Sequence, residues 1–269
     1  MTYIDLKSVH DFWNAASCGE DLLLREETAL GYQLQLEERY RLEPYISEFA
    51  GFSQAAGLSV LEIGVGLGAD HEMYARAGAR MSGIDLTERA INHVKQRLHY
   101  AASSSDLRVA DAENLPFGDS TFDLVYSWGV IHHSPNTAKA AREILRVLKP
   151  DCMFRVMIYQ RRSLVGLMLW LRYAALAGKP WKNLDWVYSN YLESPGTKAY
   201  SAIDAKLLFS DASECTVRSI LTHGDLLESG AGQRHKGALL TAARHFWPRW
   251  LLRRLCRNWG LFLLIEGRK

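Results

Sequence analysis

The sequence predicts an α/β fold built on one doubly wound, mostly parallel sheet. Two observations carry this expectation. Short apolar runs recur at 60–63, 81–84, 107–110, 122–126 and 153–159, several of them ending on glycine or aspartate, and helical patterns separate most of them. Strands alternating with helices mean βαβ units with right-handed crossovers. A third observation is the run from Val60 to Ile63 straight into Gly64, Gly66 and Gly68, a buried strand opening into a turn where backbone can approach a ligand. At 269 residues the chain suits one large domain, or a core with a substantial insertion, and needs no disulfide staples.

Taken in order, residues 1–57 read as a helical segment. Leu30, Leu34, Tyr40 and Ile46 punctuate a charged stretch at helical spacing, and Pro44 breaks or restarts the helix. The core is expected over 58–160. Thr87 caps a helix reaching about Tyr100, Asn136 caps one reaching about Leu148, and Pro150 then stops the chain. From 161 to 200 the alternation lapses in a stretch holding Trp170, Trp181 and Trp186, expected as an insertion after strand five, over the top of the sheet. Ser201, three residues before Asp204, forms a capping box for a helix to about Phe209. A sixth strand at 216–221, a basic and aromatic helical region at 235–259 and a last strand at 261–266 complete the core over 201–269.

Composition narrows the partners. A net charge of +2 is too mild for a nucleic-acid face, and no nucleic-acid partner is expected. Cys18, Cys152, Cys215 and Cys256 lie far apart without metal-ligand spacing, so they read as reduced thiols and no metal is expected. The N-terminus lacks a basic-then-apolar leader. The most apolar stretch, 164–178, carries Arg172 and falls short of the roughly 20 residues that span a bilayer. The expectation is a soluble cytoplasmic protein. Arg161, Arg162, Arg249, Arg253, Arg254 and Arg257 read as solvated faces that would also suit an anionic substrate or an acidic membrane surface.

The chemistry gathers at the strand ends. Asp85 closes the second strand about 20 residues after the glycines, where a carboxylate can accept both ribose hydroxyl protons, an arrangement shared by nicotinamide and adenosylmethionine folds. Asp111 closes the third strand and can accept from an adenine amino group; the plainer reading is a turn cap. The fourth strand ends at Ser127 and runs on to His132 and His133, placing polar groups at the edge where ligands of open sheets sit. Both histidines are of a type that titrates near neutrality.

In this order and spacing, the glycine block, Asp85, Asp111-Ala112-Glu113-Asn114-Leu115-Pro116-Phe117 and the strand Phe122-Asp123-Leu124-Val125 resemble the successive motifs of class I S-adenosylmethionine-dependent methyltransferases. The third block is similar to the ubiquinone-biosynthesis-like, small-molecule branch, and the resemblance covers about 58–160. It implies a Rossmann-like, seven-stranded sheet with an antiparallel last strand, and S-adenosylmethionine as cofactor. Carried onto this sequence, Gly64 and Gly66, with Gly68 in the same loop, approach the methionine part, and Glu62 orients its amino group. Asp85 holds the ribose and Leu86 packs on the adenine. Asp111 and Ala112 meet the adenine edge with Glu113 beside them, and the Ser127 backbone meets the methionine end. One departure is Asp151-Cys152, where the family carries two glycines.

His133 matches a position where small-molecule relatives often have histidine, so the resemblance offers it as catalytic base, with His132 second; the alternative is that both stabilise the turn. Glu193, beside the turn Ser194-Pro195-Gly196-Thr197, is a candidate substrate contact. The expected function is methylation of O, N or C on a small, partly apolar metabolite, with residues 1–57 and 161–200 as a lid. Two alternatives stand beside it. A nicotinamide (NAD) oxidoreductase shares the glycines and Asp85 but does not account for Asp111 with Leu115-Pro116-Phe117. A non-catalytic S-adenosylmethionine-binding protein is the other. Neither the acceptor nor the oligomeric state is written in the sequence.

Overall fold

The computed structural model describes residues 5–228 and 244–269. Seven strands form one sheet: β1 (Ser59–Ile63), β2 (Arg80–Asp85), β3 (Asp106–Val109), β4 (Phe122–Trp128), β5 (Leu148–Tyr159), β6 (Glu214–Ile220) and β7 (Phe262–Arg268), in the order β3-β2-β1-β4-β5-β7-β6. The first five pair in parallel, and β7 runs antiparallel to both β5 and β6. The strand order reverses direction at β1, so the crevice beyond the ends of β1 and β4 is the natural ligand position.

The central strands β1 and β4 are largely apolar because both of their faces are covered. Leu61, Ile63 and Val125 pack on Ala140, Ala141 and Ile144 of one helix. Their neighbours Val60, Leu124 and Tyr126 point the other way, onto Ile46, Phe49 and Tyr74, as a period of two requires. The described helices are α1 (Leu6–Ala15), α2 (Glu20–Leu23), α3 (Ala29–Leu42), α4 (Tyr45–Ala50), α5 (Ala69–Arg76), α6 (Glu88–Tyr100), α7 (Thr137–Val147), α8 (Leu164–Trp170), α9 (Leu184–Tyr191), α10 (Ala202–Leu207) and α11 (Arg249–Leu255).

The expected caps are in place. The Thr87 hydroxyl accepts from Ala90 N, the Asn136 side chain from Lys139 N, and Ser201 with Asp204 closes a reciprocal box. Pro44 restarts rather than breaks: α3 stops at Leu42 and Pro44 is the cap of α4. Pro150, in contrast, does not stop the chain. β5 begins before it, at Leu148, and residues 149–152 bulge between the pairs Phe122↔Leu148 and Leu124↔Met153. Asp151 takes the left-handed conformation there, at φ +60°, while Cys152 is spared it. The substituted turn therefore survives on the residue better suited to it. Of the helical region expected at 235–259, residues 235–243 lie outside the described residues, and α11 falls in the rest.

The 161–200 segment holds α8, a π-turn at Leu171–Ala175 and α9. Its two ends meet: Arg161 N donates to Tyr200 O at 2.9 Å and Tyr200 N to Tyr159 O at 2.9 Å. It thus leaves and rejoins the core at the end of β5. One buried carboxylate fastens this excursion to the last strand. Asp225, fully buried, accepts from Val165 N (3.1 Å), Thr222 N (2.9 Å), Thr222 Oγ1 (2.8 Å) and Leu261 N (2.8 Å). Replacing it strands three backbone N–H groups, each costing about 1–3 kcal/mol when buried and unpaired. Asp225→Ala should therefore lower the unfolding free energy by at least about 3 kcal/mol in urea titration, and Asp225→Asn by clearly less.

Candidate cofactor and acceptor site

The glycine loop is shaped by what surrounds it. Gly64 sits at φ +79°, and a Cβ there would lie 2.1 Å from Val130 Cγ2. Gly68 would bring a Cβ within 2.9 Å of Val94 on α6, so this glycine lets helix and loop close up. Gly66 differs: nothing lies within 4 Å of its Cβ position, and its N–H donates to Asp85 Oδ2 at 3.2 Å. The other Asp85 oxygen accepts from Thr87 N (3.0 Å) and Thr87 Oγ1 (2.9 Å). Burial raises the Asp85 carboxyl above the ordinary range, against these hydrogen bonds.

Glu62 is buried at the end of β1, 2.8 Å from His71 Nδ1. His71 Nε2 lies 2.9 Å from Ser105 Oγ, whose own proton goes to Met81 O at 2.8 Å. Ser105 must therefore accept from His71 Nε2–H. Burial pushes the His71 imidazole down to about 3, so Nδ1 carries a lone pair and needs a donor. Burial and the nearby Asp70 charge raise the Glu62 carboxyl well above the usual range, which favours the protonated form that can donate to Nδ1.

Glu62, the three loop glycines and Asp85 share one cavity of about 1390 Å³ with Leu86, Asp111, Ala112, His133 and Glu193. Three expected contacts lie elsewhere. Ser127 is wholly buried in β4 with its hydroxyl on Ile63 O, and Trp128, Gly129 and Val130 form the cavity wall in its place. Glu113 accepts from Asn136 N and so braces the start of α7, outside the cavity lining. His132 is also off the lining. It is fully buried against the ring of Tyr159, 4.2 Å away between centroids, and burial holds its imidazole far below its usual range. His133, by contrast, is on the cavity lining.

His133 is oriented by the turn downstream. Its Nδ1 lies 2.8 Å from Ser194 Oγ and 3.2 Å from Thr197 Oγ1, and Thr197 spends its proton on Ser194 O. These two hydroxyls hold the ring in place through its Nδ1. Nε2 stands 3.4 Å from Glu193 Oε2, which also accepts from the Tyr159 hydroxyl at 2.7 Å. Trp13 of α1 lies edge-on to the imidazole, 5.3 Å between centroids. His132, His133 and Glu193 bring ligand atoms within 4.8 Å of one another, as do Glu20, Glu27 and His93, so either set could hold a metal ion.

Sequence reasoning passed over His71, Ser105, Asp70 and Arg39. Only the placement of His71 and Asp70 directly after the glycines marked them out.

Residues 61–156 match the family model described as a methyltransferase domain. The chain carries a class I S-adenosylmethionine-dependent methyltransferase domain. Over 103 residues it is 34% identical to cycloartenol-C-24-methyltransferase 1 of Oryza sativa subsp. japonica, covering 37% of this chain and 30% of that one. It is 33% identical over 96 residues to the ubiquinone biosynthesis O-methyltransferase of Thiobacillus denitrificans, covering 35% and 41%. The matched region thus spans about a third of the length of such relatives. The structure of Haemonchus contortus phospholethanolamine N-methyltransferase 2, in complex with phosphomonomethylethanolamine and S-adenosylhomocysteine, shares the fold. The TM-score is 0.61 at 16% identity, over 97% of this chain and 60% of that one.

For this methyltransferase domain the protonated Glu62 has a measurable consequence. A cationic amino group beside it favours the carboxylate, so binding should release a proton. Affinity for S-adenosylhomocysteine should rise with pH between the lowered carboxyl pKa of the complex and the raised one of the free protein, then level off. Calorimetry in buffers of different ionisation enthalpy should detect the released proton, and Glu62→Gln should abolish it.

Proposed function

We propose that the chain transfers a methyl group from S-adenosylmethionine to O, N or C of a small, partly apolar acceptor. The observation that carries this reading is the single cavity joining the glycine loop, Asp85 and Asp111 to His133 and Glu193. Its volume of about 1390 Å³ exceeds the roughly 300–1,000 Å³ of pockets for one small ligand, as two ligands side by side require. The residues present fit the cofactor. The open space at Gly66 admits a close approach, Glu62 and Asp85 offer carboxylates, and Leu86 and Ala112 flank the adenine position.

When bound, S-adenosylmethionine supplies an electrophilic methyl group on sulfur. The protein holds the acceptor in line and excludes water. Phe12, Trp13, Met168, Leu169, Leu176 and Trp247 give the acceptor end an apolar wall, and relatives named for cycloartenol and for ubiquinone biosynthesis support an apolar acceptor. His133 Nε2 takes the acceptor's proton, and Glu193 stabilises the imidazolium from 3.4 Å. A nicotinamide oxidoreductase would leave the match over 61–156 and the antiparallel β7 without a reason. Four free cysteines support a reducing compartment such as the cytoplasm.

Calorimetry with S-adenosylmethionine, S-adenosylhomocysteine and NAD tests the cofactor: heat with NAD alone would overturn the assignment. His133→Gln should cut turnover by about 10²–10⁴-fold and leave S-adenosylhomocysteine affinity unchanged. A fall in melting temperature and cofactor affinity together would instead make His133 a brace for the turn.

Within residues 1–57 and 161–200, the helices α1, α2 and α8 act in this reading as a lid, since they contribute to the cavity wall, while α4 is packed into the core. Hydrogen exchange in both segments should slow when S-adenosylhomocysteine and acceptor are bound. Protection confined to the loops after β1, β2 and β3 would count against a lid.

A further inference from the structure

Two stretches that the proposed chemistry leaves largely unused share an uneven composition. Residues 164–182 carry Arg172, Lys179 and Lys182, and residues 244–259 carry Arg244, Arg249, Arg253, Arg254 and Arg257. Neither contains an aspartate or glutamate, in a chain with 32 basic and 30 acidic residues. The remainder of the chain is therefore net acidic, and these two stretches form its basic pole. The same stretches hold eight of the fourteen exposed large apolar side chains among the described residues. Leu176, Trp181, Phe246, Trp250 and Leu255 are 67–86% exposed.

Packing does not account for these side chains. A helix on a soluble protein hides an apolar stripe against the core. Yet α11 buries none of its residues, although it alternates Trp250, Leu251, Leu252 and Leu255 with Arg253 and Arg254. Aromatic and aliphatic side chains mixed with arginines, without acids, are the composition of helices that lie in a membrane interface.

The two stretches are neighbours. Leu164 N donates to Trp259 O at 2.9 Å, and the Arg162 guanidinium lies 5.7 Å over the Trp259 ring. Leu171 and Leu176 from the first stretch and Trp247 from the second line the same cavity, at its acceptor end.

We propose that this arginine-rich apolar face docks on an anionic lipid surface, with the acceptor end of the cavity turned toward the bilayer. The docking is independent of methyl transfer; its corollary, that the acceptor is an amphipathic lipid, rests on that reading. Charge complementarity selects the occupant. A second copy seated symmetrically on this face would set arginines against arginines, and Glu228, which pairs with Arg253, offsets one of them. A nucleic-acid backbone would use the arginines but leave the leucines and Phe246 in water.

Co-sedimentation of the full chain with vesicles tests this directly, comparing phosphatidylcholine alone with phosphatidylcholine mixed with phosphatidylglycerol. The protein should partition onto the anionic vesicles and not the neutral ones, and lose binding as salt is raised. Each arginine near such a surface contributes roughly fivefold, so the pair Arg254→Glu and Arg257→Glu should weaken partitioning by at least about twentyfold. Phe246→Ser with Trp250→Ser should weaken it as well. All four side chains lie away from the cofactor end, so the variants should keep the parent melting temperature and S-adenosylhomocysteine affinity. That control separates a failure here from a failure of the methyl-transfer reading.

Equal partitioning onto neutral and anionic vesicles, no partitioning at low salt, or charge-reversed variants that bind like the parent would each overturn the proposal. So would a concentration-dependent dimer abolished by Trp250→Ser, or equally tight binding to a single-stranded oligonucleotide.

Discussion

A carboxylate shut away from water sits behind the glycine loop, and the arrangement of the ligand edge depends on it. Asp70, in the first turn of α5, accepts from Arg39 Nε (3.1 Å) and Nη2 (2.7 Å), from the Tyr40 hydroxyl (2.9 Å) and from the Tyr126 hydroxyl (2.9 Å). Burial alone would raise this carboxyl; the Arg39 charge and the four donors outweigh burial and hold it below its usual value. Removing a partner from such a buried pair costs about 3–5 kcal/mol, because the remaining charge is left without compensation. Helix α3 is therefore part of the core. It supplies the counterion that lets α5 begin where it does, directly after Gly68.

The same helix is tied at two more points. Buried Arg97 of α6 donates to Glu72 at 2.8 Å and to Gln35, and lies 4.8 Å over the ring of Tyr32. The Tyr32 hydroxyl meets His93 at 2.9 Å. Loop, α5 and α6 are thus clamped from behind, which keeps the backbone facing the cavity preorganised.

The parts of this design that were legible in the sequence are local. Glycines after β1, aspartates closing β2 and β3, and the caps Thr87, Asn136 and Ser201 each act within a few residues, so spacing alone reveals them. What was hidden is what crosses distance. Arg39 and Asp70 are 31 positions apart, Gln35 and Arg97 are 62, and His133 and Ser194 are 61. Ser194 to Thr197 read correctly as a turn, but nothing local said that its hydroxyls orient an imidazole. The Ser127 side chain is enclosed because β4 runs two residues beyond its apolar run at 122–126, so the cavity wall begins at Trp128. Pro150 failed because a bulge absorbs a residue that cannot join the ladder.

The direction of β7 has a consequence for how this chain can change over time. A parallel crossover would return the polypeptide to the far edge of the sheet before each new strand. Because β7 runs against β5 and β6, the end of β6 and the start of β7 lie at the same edge, where Thr222, Leu227, Leu261 and Phe262 all touch the cavity. Apart from Thr222 and Asp225, which hold Val165 and Leu261 in place, the residues described in this connection can change without shifting any strand register. In the proposed reading, selectivity for the acceptor is physically separable from the catalytic frame, in a connection that evolution can rewrite piece by piece.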